Sequence, residues 1–446
     1  MFLKEVVDLN SDNHLEMLGW DLVDVARRHG TPLYVYNEEY MRRQCRRYRD
    51  TLQENYAGEG CVIYAGKAFL SLAMCRLVQE EGLYLDAVSG GEMAAALQAG
   101  FPPEKIYLHG NNKTPEEIDM ALENSVGCIV VDSFMELENL ARAAGEKGVK
   151  VNIMIRVKPG VTGATHKYIQ TGQVDSKFGL GLAGGEAMEA VKQAIEQPSL
   201  QLRGLHCHIG SQIKTPESHR LTAETMIEFM KEIQENCGIE LEELNLGGGL
   251  GIRHTSSDSV VPVEEFVGEL AGAVEQKCRE QDLKLPRLSV EPGRSIAGEA
   301  GITLYTVGTI KDIPGTRTYV SVDGGMMDNL RQALYEAEYE AMLVNRAGEE
   351  KDSVVTVAGK ACESGDILIR DCSMPRPQKG DIMAVFSTGA YHYSMYSWYN
   401  RVPCPEVVFV RREGIEVVAR RETCEDMSRL ELIPPHMKGA SGIGGR

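Results

Sequence analysis

Between Cys61 and Glu291 the chain repeats one alternation eight times: a short apolar run rich in β-branched residues, then a segment of helical period. The runs are Cys61–Gly66, Leu83–Val88, Lys105–Leu108, Cys128–Asp132, Val151–Val157, Leu202–His208, Glu243–Leu246 and Arg287–Glu291. Between them, segments such as Phe69–Glu81, Pro115–Glu123, Ser133–Ala144 and Val263–Glu280 carry apolar residues at three- and four-residue intervals, as on helices with one buried face. Pro115 follows Thr114 and Pro216 follows Thr215, a helix cap followed by a first-turn proline. Such alternation specifies a parallel sheet with helices outside, and eight units specify a closed (β/α)8 barrel of the TIM type. An open doubly wound sheet is the rival, but no dinucleotide-binding glycine pattern accompanies these strands.

After Gly301 the texture changes. Thr303–Ile310, Thr318–Val322, Ser353–Val357, Asp381–Phe386, Val407–Val410 and Ile415–Val418 read as strands separated by Gly- and Pro-containing turns. This predicts a C-terminal all-β domain, a barrel or sandwich. The isolated strand signal Pro32–Tyr36 joins it from the N-terminus. The expected division is residues 1–40 with the β domain, 41–302 as the α/β barrel, 303–438 as the β domain and 439–446 as a flexible Gly-rich tail.

Charge narrows the partners. Lys and Arg number 47 against 65 Asp and Glu, a net charge of −18, which disfavours nucleic acid and anionic lipid surfaces. An anionic small molecule must be held by local Arg, Lys and backbone N–H groups. Eleven cysteines stand singly, with no Cys-x-x-Cys pair, which reads as free thiols in a reducing, cytoplasmic compartment and no metal site. No secretory leader and no membrane span is expected.

The working residues of a barrel come from the C-terminal ends of its strands. Here those ends are polar: Lys67, then Asp86 and Ser89, then His109-Gly110-Asn111, then His206, His208 and Ser211, then Gly247-Gly248-Gly249, and last Glu291-Pro292-Gly293-Arg294. Lys67 sits among apolar neighbours, where desolvation is expected to lower its pKa and free the amine for imine formation. An ordinary carboxylate ion pair would also explain a lone lysine. The glycine triplet lets backbone N–H groups approach a phosphate, with Gly293 adding more. Glu291 could be a plain salt-bridge partner of Arg294, or could hold a pyridine nitrogen protonated. His208 suits stacking on such a ring. His206 reads as structural, because alternate strand residues face opposite sides and His206 and His208 cannot share one ion.

With those residues in view, the chain resembles the diaminopimelate decarboxylase family, among the barrel-type (fold III) decarboxylases that use pyridoxal 5'-phosphate. The resemblance runs from about Thr31 to Asn400. It rests on Tyr64–Phe69, Ser89-Gly90-Gly91-Glu92, His109–Lys113, Thr165–Gly172 leading to Asp175–Gly179, His206–Gln212, Glu291–Arg294, Val322–Met326, Cys362-Glu363-Ser364-Gly365-Asp366 and Gly389-Ala390-Tyr391.

The resemblance implies decarboxylation of meso-2,6-diaminopimelate to L-lysine and CO2. It implies that Lys67 carries the cofactor, His208 stacks on it and Glu291 holds its ring nitrogen, with Asp86 in the cofactor site. Ser211, Gly248, Gly249 and the amides of Gly293 and Arg294 would hold the phosphate, closed by Tyr391. Arg294, Arg331 and Tyr335 would bind the distal carboxylate of the substrate, with Tyr391 nearby. Glu363 would read the distal ammonium and Cys362 would supply a proton. A homodimer is implied, with the Cys362-Glu363 loop reaching the partner's site.

Three residues depart from the family's usual pattern: Gln332, Glu336 and Trp398. All flank the substrate end, which leaves open a related decarboxylase of D-ornithine, D-lysine or an arginine-derived substrate. A racemase or a non-catalytic regulatory homologue are further alternatives.

Overall fold

The computed structural model describes residues 2–160 and 176–437. Thr165–Gly172, Asp175 and the C-terminal tail lie outside the described residues. Eight parallel strands close into a barrel: Gly60–Ala65, Tyr84–Ala87, Ile106–Leu108, Cys128–Val131, Val151–Lys158, Leu200–His206, Glu243–Asn245 and Arg287–Val290. Each pairs with the next, and Arg287–Val290 pairs back onto Gly60–Ala65, which leaves no open edge. The interior is filled by Cys61, Ile63, Tyr107, Cys128, Val130 and Met154. At its floor, Tyr107 Oη and Ser289 Oγ donate to Glu243 Oε1 at 2.7 and 2.9 Å, so the buried carboxylate is not left unpaired.

The outer helices start where the sequence places side-chain caps. Ser71, Ser89, Thr114 and Ser133 each accept a backbone N–H of the first turn, and Thr114 forms a capping box with Glu117. The cap at Pro216 differs from the reading above. That helix is Glu217–Cys237, with Pro216 at its cap and no side-chain cap bond, so it starts one residue later.

The second sheet is built about Gly301–Ile313, a long strand that pairs with Arg317–Val322, with Ile382–Val385 and with the N-terminal strand Leu33–Asn37. Leu33–Asn37 also pairs in parallel with Glu406–Arg411. Two strands of this sheet were not anticipated, Ala341–Leu343 and Ile367–Met374, and neither was a small N-terminal sheet of Asp8–Leu9, Leu15–Met17 and Trp20–Asp21. Among the described residues no helix is long and apolar enough to cross a membrane.

The two domains meet at the barrel mouth. Phe69, just beyond the first barrel strand, stacks on Tyr36 with ring centroids 4.3 Å apart. The amide of Tyr391 donates to Ala68 O at 2.7 Å, and Ser394 Oγ donates to Lys67 O and Ala68 O at 3.0 and 3.1 Å. The turn bearing Lys67 is therefore gripped by the β domain.

Candidate active site

A cavity of about 410 Å³ opens at the C-terminal ends of the barrel strands, lined by Lys67, Asp86, His109, Arg156, Phe178, His206, His208, Ser211, Glu291, Arg294, Arg331, Tyr335 and Tyr391 among others. A narrower recess beside it is lined by Lys67, His208, Ser211, Gly248, Gly249, Glu291, Gly293, Arg294 and Tyr391. Nearly all the strand-end residues singled out in the sequence thus converge on one place.

Lys67 lies in a 3₁₀ turn, Gly66–Ala68, directly after the first barrel strand. Burial pushes its pKa down, but the facing Tyr391, Asp86 and Glu291 outweigh burial and leave it raised. The expected lowering is therefore corrected: here the ammonium form is favoured, because Tyr391, Asp86 and Glu291, distant in sequence, face it in space. Asp86 is buried and has its pKa raised by that burial.

Glu291 ends the last strand and is gripped on both oxygens. Asn245 Nδ2 donates to Oε1 at 2.7 Å, His109 Nε2 lies 2.9 Å from the same oxygen, and His206 Nε2 lies 3.1 Å from Oε2. Burial alone would raise the Glu291 pKa, but the two histidines hold it well below the ordinary carboxylate range. Burial lowers the pKa of His206 to about 4, so at neutral pH it is an uncharged donor to Glu291. His206, read as structural, thus belongs to the site. It lies inside the barrel on the last residue of its strand, whereas His208 lies two residues beyond the strand end and no longer follows the alternation. His109, His206 and Glu291 offer atoms within 4.8 Å of one another. The Glu291 oxygens, however, are already hydrogen-bonded.

His208 accepts the Gly248 N–H at Nδ1, 3.3 Å away, and burial together with Lys67 and Arg156 holds its pKa well below the usual value. A neutral imidazole with a fixed tautomer results. The glycines beside it are sterically required. A Cβ at Gly248 would lie 2.0 Å from Glu291 O, and Gly249, at φ +123°, would bring a Cβ within 2.4 Å of Gly210 O.

Arg294 and Arg331 are both buried, and neither forms a salt bridge to a described residue. Arg294 donates to Ser211 Oγ at 3.1 Å and leaves Nη1 buried without a partner among the described residues. Burial, then Arg331, lowers its pKa to about 10. Its guanidinium lies 4.5 Å from the Tyr391 ring centroid; that of Arg331 lies 4.9 Å from Tyr335 and donates from Nε to Tyr339 Oη at 3.1 Å. Two buried cations that face one cavity, neither ion-paired to a described carboxylate, form a receptor for an anion.

Cys362 and Glu363 are not brought to this cavity. Both are exposed; the Cys362 N–H donates to Asn400 Oδ1 at 2.7 Å, and Glu363 Oε1 accepts from Gly365 N at 3.2 Å. Sequence reasoning missed Arg156, Phe178, Asn245 and Tyr339. Arg156 lies 4.4 Å from the Phe178 ring centroid and 3.4 Å from Asp132. Inward alternation along the fifth strand from Met154 would have pointed to Arg156, and along the seventh strand from Glu243 to Asn245.

Residues 38–298 match the family model described as "Pyridoxal-dependent decarboxylase, pyridoxal binding domain". The chain is 47% identical over 433 residues to the diaminopimelate decarboxylase of Bacillus subtilis, covering 97% of this chain and 98% of the relative. It is 47% identical to that of Bacillus methanolicus, covering 96% and 99%. Among solved structures, the M. jannaschii diaminopimelate decarboxylase in co-complex with L-lysine superposes with a TM-score of 0.91 at 35% identity, covering 98% of this chain and all of that one. The Helicobacter pylori enzyme complexed with L-lysine gives 0.84 at 30% identity, covering 92% and 99%. A lysine, a caged glutamate and a glycine cradle at one barrel mouth are thus found in a chain that belongs to the diaminopimelate decarboxylases, a family of pyridoxal-dependent decarboxylases.

Proposed function

We propose that the chain removes one carboxyl group from meso-2,6-diaminopimelate as CO2 and releases L-lysine, using pyridoxal phosphate on Lys67. The observation that carries the substrate is the pair Arg294 and Arg331, buried, unpaired by any described carboxylate and facing the cavity that Lys67 enters. Diaminopimelate keeps a carboxylate at its far end and suits them. Ornithine and lysine bring only an ammonium there, leaving two buried cations unpaired at a cost of ~3–5 kcal/mol.

The recess fits the cofactor. The Gly248 and Gly249 backbone lies open where side chains would collide, Ser211 and the amides of Gly293 and Arg294 line the same recess, and Arg294 Nη1 awaits an acceptor. These residues would hold the phosphate, with Tyr391 over it. His208 would lie against the ring face and Asp86 beside Lys67. When bound, the cofactor supplies a ring that accepts the electron pair released as the carbon–carboxylate bond breaks. Glu291, held ionised, would keep the ring nitrogen protonated. Lys67 would expel the product amine. Arg294, Arg331 and Tyr335 would fix the distal end.

Cys362 would return a proton to the carbon that loses CO2, and Glu363 would read the distal ammonium. Both would act from a second copy of the chain in a homodimer. Their exposure, and their absence from the cavity lining of their own chain, supports that reading. All eleven cysteines are free, which supports a cytoplasmic setting.

A visible spectrum followed by CO2 release from meso-diaminopimelate, L-ornithine, L-lysine and their D forms tests the proposal. Cofactor absorbance lost in Lys67→Ala, with turnover confined to diaminopimelate, is the expected result. Faster turnover of a simple diamino acid would overturn the substrate assignment.

A further inference from the structure

The loop that carries Cys362 and Glu363 is exposed and makes few side-chain bonds, so something must set where it points. Its far end is Asp366, whose carboxylate is buried. One oxygen, Oδ2, accepts the Ala361 N–H at 2.7 Å, and the other, Oδ1, accepts the Met326 N–H at 2.7 Å. The carboxylate therefore ties the residue immediately before Cys362 to a second loop, Gly324-Gly325-Met326, that leads into Arg331.

The surroundings are shaped for it. A Cβ on Gly359 would lie 2.2 Å from Asp366 Oδ2, and one on Gly325 would lie 2.6 Å from the same atom. Only glycine at both positions lets the carboxylate enter. Backbone bonds complete the joint: Gly359 N donates to Asp366 O at 3.0 Å, Lys360 N to Gly324 O at 2.9 Å, and Asp366 N to Glu363 O at 3.1 Å. Every one of these contacts lies within one chain.

We infer that Asp366 is the positioning residue of the Cys362-Glu363 loop, a buried carboxylate seated between Gly325 and Gly359 that sets the loop's direction relative to the arm carrying Arg331. The inference rests on the proposed role of Cys362, since a loop without chemistry would not need aiming. Burial raises the Asp366 pKa, and the Ala361 and Met326 amides oppose that rise without cancelling it. An asparagine in its place can accept on one side only, so it must present its own N–H₂ to one of the two amides.

The test uses the holoenzyme and D366N. Expected are a kcat lowered roughly tenfold or more, unchanged cofactor absorbance, and alkylation of Cys362 by iodoacetamide, followed by peptide mass spectrometry, that is faster by about fivefold. Gly359→Ala displaces the same carboxylate from outside and should reproduce both effects, the double variant being no worse than the worse single one. In the wild type the Ala361 and Met326 amides should exchange slowly with solvent, a measurement that needs no variant to fold. Wild-type alkylation rates in both variants, or a rapidly exchanging Ala361 amide, would overturn the inference. If the wild type released no CO2 from diaminopimelate, the proposed reaction would fall, while alkylation and exchange would still decide the role of Asp366.

Discussion

His109 Nε2 lies 2.9 Å from Glu291 Oε1, and this contact spans the barrel mouth from the third strand end to the eighth. It is one of three grips on a single carboxylate. Its consequence is electrostatic: the two histidines overcome the burial that would otherwise protonate Glu291.

Replacing those histidines should move the acid limb of activity. With His109→Phe and His206→Phe, burial of Glu291 is opposed mainly by the remaining Asn245 bond, so its pKa rises and the limb of kcat/KM shifts to higher pH. Glu291→Gln should lower kcat by about a hundredfold, or ~2.7 kcal/mol of barrier. A pH–rate profile of the double histidine variant that overlays the wild type would refute the electrostatic account.

Arg331 should govern the distal carboxylate. Arg331→Ala is expected to lower kcat/KM for diaminopimelate by ~2–4 kcal/mol, within the range for truncating one partner of a buried charge pair. Arg331→Lys should recover only part of that, because an ammonium cannot make a forked contact. Steady-state kinetics of the two variants side by side supply the check.

Lys113 staples two strand ends. Its Nζ donates to Gly110 O at 2.9 Å, Val130 O at 2.7 Å and Glu136 Oε1 at 2.6 Å, with both side chains buried. Lys113→Met leaves Glu136 without its cation and should cost about 3–5 kcal/mol of stability. Adding Glu136→Gln should return part of it. Chemical denaturation of the single and double variants measures both.

Asp328 should make stability fall as pH rises. It is fully buried, accepts from Tyr305 Oη and Gly325 N, and has its pKa raised from 3.8 to about 7, chiefly by burial. A raised folded pKa means the native state binds more protons than the unfolded chain between pH 4 and 7. Its contribution is therefore complete at low pH and is lost as pH climbs through about 7. At 1.36 kcal/mol per unit the effect is on the order of 4 kcal/mol. Unfolding free energies at pH 5 and pH 8 should differ less in Asp328→Asn than in the wild type.

The barrel could be read from sequence because its strands are short apolar runs and its helices carry cap residues at their starts. Ser71, Ser89, Thr114 and Ser133 signal those starts in residues alone. Ile367–Met374 was harder, since Arg370, Asp371 and Ser373 break the β-branched pattern and Asp371 takes φ +50°. Lys67 and Glu291 were visible as strand-end polar residues. The cage around Glu291 was not, because His109, His206 and Asn245 come from three strands and only closure of the barrel brings them together. The pKa of Lys67 was misjudged for the same reason: its neighbours along the chain are apolar, and its neighbours in space include Asp86 and Glu291.

The pairing of Leu33–Asn37 with Glu406–Arg411 sets an order of events during synthesis. An early strand waits for one of the last, which at ~5–20 residues per second emerges roughly 20–70 s later. The barrel can close in the meantime, but the turn at Lys67 lacks its clamp until Tyr391 and Ser394 have emerged. A chain truncated before residue 391 would hold a nearly full set of barrel residues and still present Lys67 on an unfastened turn. With Lys67 in its proposed role, cofactor loading would report that synthesis has passed Ser394, where the clamp on that turn is complete.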